Sequence, residues 1–245
     1  MFADAIGDPA AFALIAASAG TSFFTAAFGI GGGVLLLAIM GLILPTHALI
    51  PVHGVVQIGS NAGRMAIMIR QVRRSVLLPF LAGSVIGAVA GGSIAIQLPP
   101  AWMKIGLGLF ILISVWRPTA SALAPHSLLL GGAVSSFLTM FFGATGPFVA
   151  TLVKALRLNR LEHVATHSAC MTAQHGIKVA AFGLLGFAYA PWLPLILAMI
   201  ASGFVGTILG RQLLDRLKDH QFHNLLRIIL TLLALRLIHE GWRLL

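Results

Sequence analysis

The sequence predicts an all-α integral membrane protein built as two inverted-topology repeats. Each repeat is a broken or re-entrant helix hairpin followed by transmembrane helices, giving about eight to ten helical segments in all. Three observations predict this class. Hydrophobic residues make up 58% of the 245 and Asp, Glu, Lys and Arg only 9%, where a soluble domain carries about a quarter. The chain matches itself at an offset of 114: Ser22-Phe23-x-Thr25-x-x-Phe28-Gly29-x-x-Gly32 recurs as Ser136-Phe137-x-Thr139-x-x-Phe142-Gly143-x-x-Gly146. Basic residues gather in loops that, counted along the chain, put equivalent loops of the two copies on opposite sides of a membrane.

Taken in order, the first repeat (residues 1–118) reads as helical segments at about 9–28, 34–45, 47–70 and 76–97, followed by a linking helix near 102–117. The second repeat (126–245) gives about 126–142, 148–158, 160–187, 191–213 and 221–241. Apolar runs fill the chain, so residues 1–245 form a single transmembrane domain. No Lys or Arg precedes the first run, which is therefore expected to be retained as structure rather than cleaved as a signal. Segments 34–45 and 148–158 are short for a crossing, a dozen residues spanning only ~18 Å at 1.5 Å each, which suits a hairpin returning to its own side. Asn159-Arg160-Leu161-Glu162 reads as a capping box starting the helix at 160, and Thr46 as the cap of its counterpart. The ladder Gly83, Gly87, Gly91, with Gly206 and Gly210 matching the last two at an offset of 119, reads as internal helix packing.

The stretch FGIGGGVLLL, Phe28 to Leu37, separates the first two segments. It lacks the G-x-G-x-x-G spacing and no strand precedes it, so it is a helix break rather than a phosphate loop. At membrane depth irregular backbone is tolerated where it lines a cavity, and glycine lets it approach a ligand closely.

Arg70, Arg73 and Arg74 mark one loop as cytoplasmic; so do Lys154, Arg157 and Arg160, and Arg211, Arg216 and Lys218. The turns PTHALIPVHG and GFAYAPW carry no Lys or Arg and are expected outside, which leaves both termini periplasmic. Lys104, Arg236 and Arg243 go against this pattern.

His53, Gln57, Asn61 and Arg64 fall at i, i+4, i+8 and i+11, one helix face. The second copy repeats the pattern as His167, Met171, His175 and Lys178, with Gln174 one step aside. Inversion sets His53 level with His175 and Asn61 level with His167. Such groups are costly in hydrocarbon and mark pathways, although helix-to-helix hydrogen bonding is the plainer use of a polar side chain. Arg64 and Lys178 either add positive potential along the path or snorkel to the interface.

Asp4, Asp8, Glu162, Asp215, Asp219 and Glu240 all fall near predicted ends, which leaves no buried carboxylate for a cation. Helix N-termini, glycine-loop N–H groups, His, Asn and Thr supply donors for an anion. If transport is proton-coupled, His53, His167 or His175 should carry the proton. The single cysteine, Cys170, excludes an intrachain disulfide and a CxxC metal site. The basic residues sit at the ends of apolar runs and form no aromatic-interleaved patch, so the expected partners are the lipid bilayer and a small anion, not nucleic acid. No cofactor, catalytic or ATP-binding motif is present, and nothing fixes an oligomeric state.

The GIGGG break after Phe28, its echo at Phe142, the PTH-A turn at 45–48, the glycine ladders and the two-unit length together resemble the sulfite exporter TauE/SafE family, also called the toluene sulfonate uptake permease family. The resemblance covers nearly the whole chain. It implies transport of small sulfur-containing anions such as sulfite, thiosulfate, sulfoacetate or other sulfonates across the bacterial inner membrane. The glycine-rich break maps onto Gly29, Gly31, Gly32 and Gly33, and onto Gly143, Thr145, Gly146 and Pro147, where Thr145 offers a hydroxyl and Pro147 removes a donor. The alternatives are a divalent metal-ion permease using the nine His, eight Met and Cys170, and a membrane scaffold with no substrate.

Overall fold

Long apolar runs punctuated by glycine, proline and short polar breaks fold into helices alone. The computed structural model describes residues 6–28, 31–95, 97–116, 128–143, 145–213 and 219–245, and among them there is no strand. Gly29, Asp4, Asp215, Arg216 and Lys218, all singled out in the sequence, lie outside the described residues. The helices are α1 (Asp8–Phe28), α2 (Gly32–Ile43), α3 (Thr46–Ile67), α4 (Arg74–Ala95), α5 (Pro100–Trp116), α6 (Leu128–Phe142), α7 (Gly146–Lys154), α8 (Arg160–Leu184), α9 (Leu193–Leu213) and α10 (Asp219–Trp242).

Most boundaries fall within a few residues of expectation, and three of the differences have a plain local reason. α2 begins at Gly32 because Gly31 takes a left-handed turn, with φ 103, and the next two glycines fit the first helical turn. α7 stops at Lys154, short of residue 158, where the chain turns through Arg157 at φ 53. Thr46 is not a cap but the first helical residue of α3; the cap position is Pro45 at ψ 139, with no side-chain bond, and its carbonyl accepts the Ala48 and Leu49 N–H groups. The Asn159 cap forms, Oδ1 accepting the Glu162 N–H at 2.9 Å.

The outer helices pack through small residues, and the same contacts occur twice. On α4, a Cβ at Gly83, Gly87 or Gly91 would strike the carbonyls of Leu129, Ala133 and Phe137 on α6. On α9, Gly206 and Gly210 meet the carbonyls of Ala19 and Phe23 on α1 in the same way, and Ser202 donates to the Ile15 carbonyl at 2.8 Å. Each of these pairs reads in the same direction along both chains, so α4 and α6 are parallel, as are α1 and α9. Removing the side chain at the crossing lets backbone approach backbone, the usual device where lipid supplies no hydrophobic drive between helices.

α1, α4 and α9 are long and apolar enough to cross a membrane, at mean hydropathies of 1.4, 1.8 and 2.0 over Asp8–Ala26, Arg74–Ala95 and Ala190–Gly210. Large apolar side chains point outward from them and from α5 and α10, among them Leu78, Val89, Ile113, Leu197 and Leu232, a face that only lipid would cover. The protein is an integral membrane protein. Two of the basic residues that depart from the loop-charge pattern share one carboxylate: Lys104 on α5 and Arg236 on α10 bond Glu240 at 2.7 and 3.3 Å.

Candidate functional site

The polar helices are the two held inside. α3 and α8 run antiparallel: the His53 and His175 rings meet edge to face with centroids 6.1 Å apart, as the predicted register requires. Toward the other end of α3, Met65 and Met68 pack with Ala165 and Ala169, and beyond it the Arg73 N–H donates to Thr166 Oγ1 at 3.0 Å. Gly54 permits the close approach, since a Cβ there would lie 2.8 Å from Lys178 Cε and 3.0 Å from Val179 Cγ2.

Each of these helices ties down the hairpin tip that precedes it. His53 Nε2 lies 3.1 Å from the Gly33 carbonyl oxygen, and His167 Nε2 lies 3.1 Å from that of Gly146. A carbonyl only accepts, so both rings donate through Nε2–H. The two tips face one cavity of about 60 Å³, room for several waters or a small oxyanion. The first tip contributes Gly31, Gly33 and Val34, and the second Gly143, Gly146 and Pro147. Thr25 of α1, His53, Gln57, Asn61 and Arg64 of α3, and His167, Met171 and His175 of α8 complete the wall.

Most of the predicted residues thus converge, but four stand behind the wall. Gly32 packs against the Thr21 carbonyl and the Thr25 hydroxyl, leaving no room for a Cβ. Thr145 Oγ1 donates to Gln174 Oε1 at 3.3 Å, and Gln174 Nε2 donates to Ser135 and Ser136 Oγ at 3.1 and 3.2 Å, a chain that fixes the second tip to α6. Lys178 does not snorkel; it is fully buried, with Nζ 3.5 Å from the Gly143 carbonyl. The wall adds Thr25, Val34, Met171 and Pro147 to the residues expected to touch a ligand. Thr25 was visible only as part of the repeated Thr25/Thr139 match.

The cavity is electropositive and rich in donors. Arg64 bonds neutral oxygens, Asn61 Oδ1 at 3.1 Å, the Ser60 carbonyl at 3.4 Å and Ser60 Oγ at 3.5 Å, and no described carboxylate lines the wall. The first bond closing the α2 ladder is Leu35 N–H to the Gly31 carbonyl at 2.9 Å, and in α7 it is Val149 N–H to Thr145 at 3.1 Å. The N–H groups of Gly32, Gly33 and Val34, and of Gly146 and Phe148, therefore precede their ladders, and both helices present their positive ends to the cavity. Such an arrangement holds a small anion.

The metal alternative gains nothing here. Among the described residues no three of His, Cys, Asp or Glu converge to hold an ion, and Cys170 is buried in an apolar cluster with Val76, Phe80 and Met171.

Two comparisons bear on what this site belongs to. The chain is 26% identical over 181 residues, 71% of its own length and 76% of the relative's, to a protein of Comamonas testosteroni described as a probable inner membrane transporter protein, TsaS. No solved structure matches it. The family model described as sulfite exporter TauE/SafE matches residues 13–237, nearly the whole of a chain that is a membrane transporter and not an enzyme: it belongs to the sulfite exporter TauE/SafE family.

Proposed function

We propose that the protein is a secondary transporter of the bacterial inner membrane that moves a small sulfur-containing oxyanion, such as sulfite, thiosulfate, sulfoacetate or another organosulfonate, through the cavity between the two hairpin tips. The observation that carries this reading is the matched pair of tip contacts, His53 Nε2 to Gly33 and His167 Nε2 to Gly146, each 3.1 Å and both at one cavity without a described carboxylate. Two inverted repeats, 1–118 and 126–245, account for the antiparallel α3 and α8 and for the recurrence of the glycine contacts at offsets of 114 and 119. In this arrangement the anion sits where the broken helices meet, and the repeats rock about it to expose it to each side in turn. The orientation with both termini periplasmic follows from the loop charges.

Gly31, Gly33, Gly143 and Gly146 would bring backbone to the anion, while His53, Gln57, Asn61, His167 and His175 line its path. Arg64 supplies positive potential at the wall, and Lys178 supplies it from behind Gly143. Gly32, Thr145 and Gln174 hold the tips in place. The test is a titration of the purified protein with sulfite, thiosulfate, sulfoacetate, Ni²⁺ and Co²⁺, with His53→Ala and His167→Ala in parallel. Anions bind and both variants lose affinity; binding of the metals alone would sink the reading.

A further inference from the structure

His53 and His175 each keep one ring nitrogen out of every hydrogen bond. Both side chains are 1% exposed, both line the cavity, and Nδ1 of each is buried without a partner. For His53 the chemistry of that nitrogen is fixed by its neighbours. Nε2 carries the hydrogen, because the Gly33 oxygen 3.1 Å away can only accept, so in the neutral ring Nδ1 is a lone pair. The Gln57 amide nitrogen, 3.2 Å from Nε2, suits this tautomer only after a half-turn that presents its oxygen and gives up the 3.4 Å bond from Asn61 Nδ2, which keeps its 2.8 Å bond to the Gln57 carbonyl. An unpaired buried acceptor on a residue that lines an anion site is a mismatch, because an anion brings only more acceptors. One added proton removes the mismatch, turning Nδ1 into a donor that an anion oxygen can satisfy.

The surroundings make that proton conditional on the anion. The titratable or charged groups that face the pair are all basic: Arg64 on α3, and His167 and Lys178 on α8. The described parts of α2 and α6 carry none, Lys104 of α5 is held by Glu240, and Lys154 of α7 is exposed. His167 also stacks on His163, ring centroids 6.4 Å apart, which adds a further basic group on α8. A proton on the His53–His175 pair therefore meets only like charge until an anion arrives.

We infer that His53 and His175 form a proton site coupled to the anion site, so that each anion is bound together with one proton taken from water. The proton adds to Nδ1 of one ring, no other bond forms or breaks, and it returns to water when the anion leaves on the other side. Because binding free energies are reciprocal, the anion raises the affinity for the proton by the factor by which the proton raises that for the anion. The cavity then carries a monoanion across with no net charge beyond that of the protein.

The inference rests on the anion site proposed above, and the experiment separates the two. Thiosulfate and methanesulfonate stay ionised between about pH 6 and 8, the window in which an ordinary histidine titrates, so any proton taken up comes to the protein and not to the ligand. Full-length protein in nanodiscs is titrated with each by calorimetry, at several pH values and in two buffers of different ionisation heat. The expected result is uptake of close to one proton per anion and a Kd that weakens about tenfold per pH unit above the site's titration. His53→Gln keeps an N–H for the Gly33 carbonyl, and with His175→Gln beside it neither position can hold the proton, so the residual binding of the double variant loses the pH slope, whereas His239→Gln keeps it. Binding with no proton uptake in the wild type overturns the coupling and leaves the anion site standing. Binding of neither anion overturns the site, and the coupling with it.

Discussion

The two hairpin tips occupy matching positions in the chain and share a matched histidine contact, but beyond it they are held by different means. At the first tip the constraint is steric: Gly31 turns the chain at φ 103, Gly32 lies against the Thr21 carbonyl, and a Cβ on Gly33 would come 3.0 Å from Gln57 Nε2. At the second, polar side chains do the holding, through Thr145 to Gln174 to Ser135 and Ser136, and through Lys178 to the Gly143 carbonyl. The left-handed turn at Gly31 is also not repeated at its equivalent, since Thr145 has φ −87, and the left-handed glycine described at the second tip is Gly143 with φ 65. Close backbone packing can be broken by a single methyl group. A side-chain network can be broken only by removing one of its polar members.

The largest contrast is expected at the equivalent pair Gly32 and Gly146. A methyl on Gly32 must displace α1 backbone, whereas the atom nearest a Cβ on Gly146 is Met171 Cε at 3.8 Å, an ordinary contact. Gly32→Ala should lose about 1–3 kcal/mol or fail to fold, as overpacked sites do. Gly146→Ala should leave stability unchanged or raise it by about 0.5 kcal/mol, since alanine suits a helix better than glycine. Thermal unfolding of the two variants in the same detergent decides it. Equal losses would mean that the first tip is not sterically locked.

Next comes the network. Gln174→Leu leaves the hydroxyls of Thr145, Ser135 and Ser136 without the amide that joins them, at a cost of about 1–3 kcal/mol. Its counterpart in the first half is Ser60, which only meets Arg64 at 3.5 Å, so Ser60→Ala should stay within about 0.5 kcal/mol. If the two melt alike, the second tip is not held by its side chains.

This difference also marks what the sequence could and could not make legible. The helices, the antiparallel register of His53 with His175 and the convergence of Asn61, His167 and Arg64 follow from a period near 3.6 and an offset of 114, both of which are properties of the chain as a string. Whether Gln174 faces the cavity or turns from it depends on one step of helical rotation and on Ser135 and Ser136 reaching it from α6, contacts between residues nearly 40 apart. Lys178 illustrates the same limit: a lysine can snorkel or stay, and only Gly54, which makes room for its stem, and Gly143, which offers a carbonyl, show that it stays. Thr46 failed as a cap because Pro45 already supplies the carbonyl that starts α3.

The smallest effect tests the asymmetry at the ligand itself. Pro147 occupies the first turn of α7 and lines the cavity, where its counterpart Gly33 has an N–H and it has none. Replacing it by alanine adds one donor to the positive end of a helix whose neighbouring N–H groups already lack helical partners. A net hydrogen bond of about 0.5–1 kcal/mol corresponds to an anion affinity about two- to fivefold tighter. The same change frees φ in the unfolded chain and should lower stability by about 0.4–1 kcal/mol. Calorimetric titration with thiosulfate, set beside a thermal melt, reads both quantities. A Pro147→Ala variant that melts lower without binding tighter would mean that the second tip's N–H groups point past the anion, leaving the first tip to hold it alone.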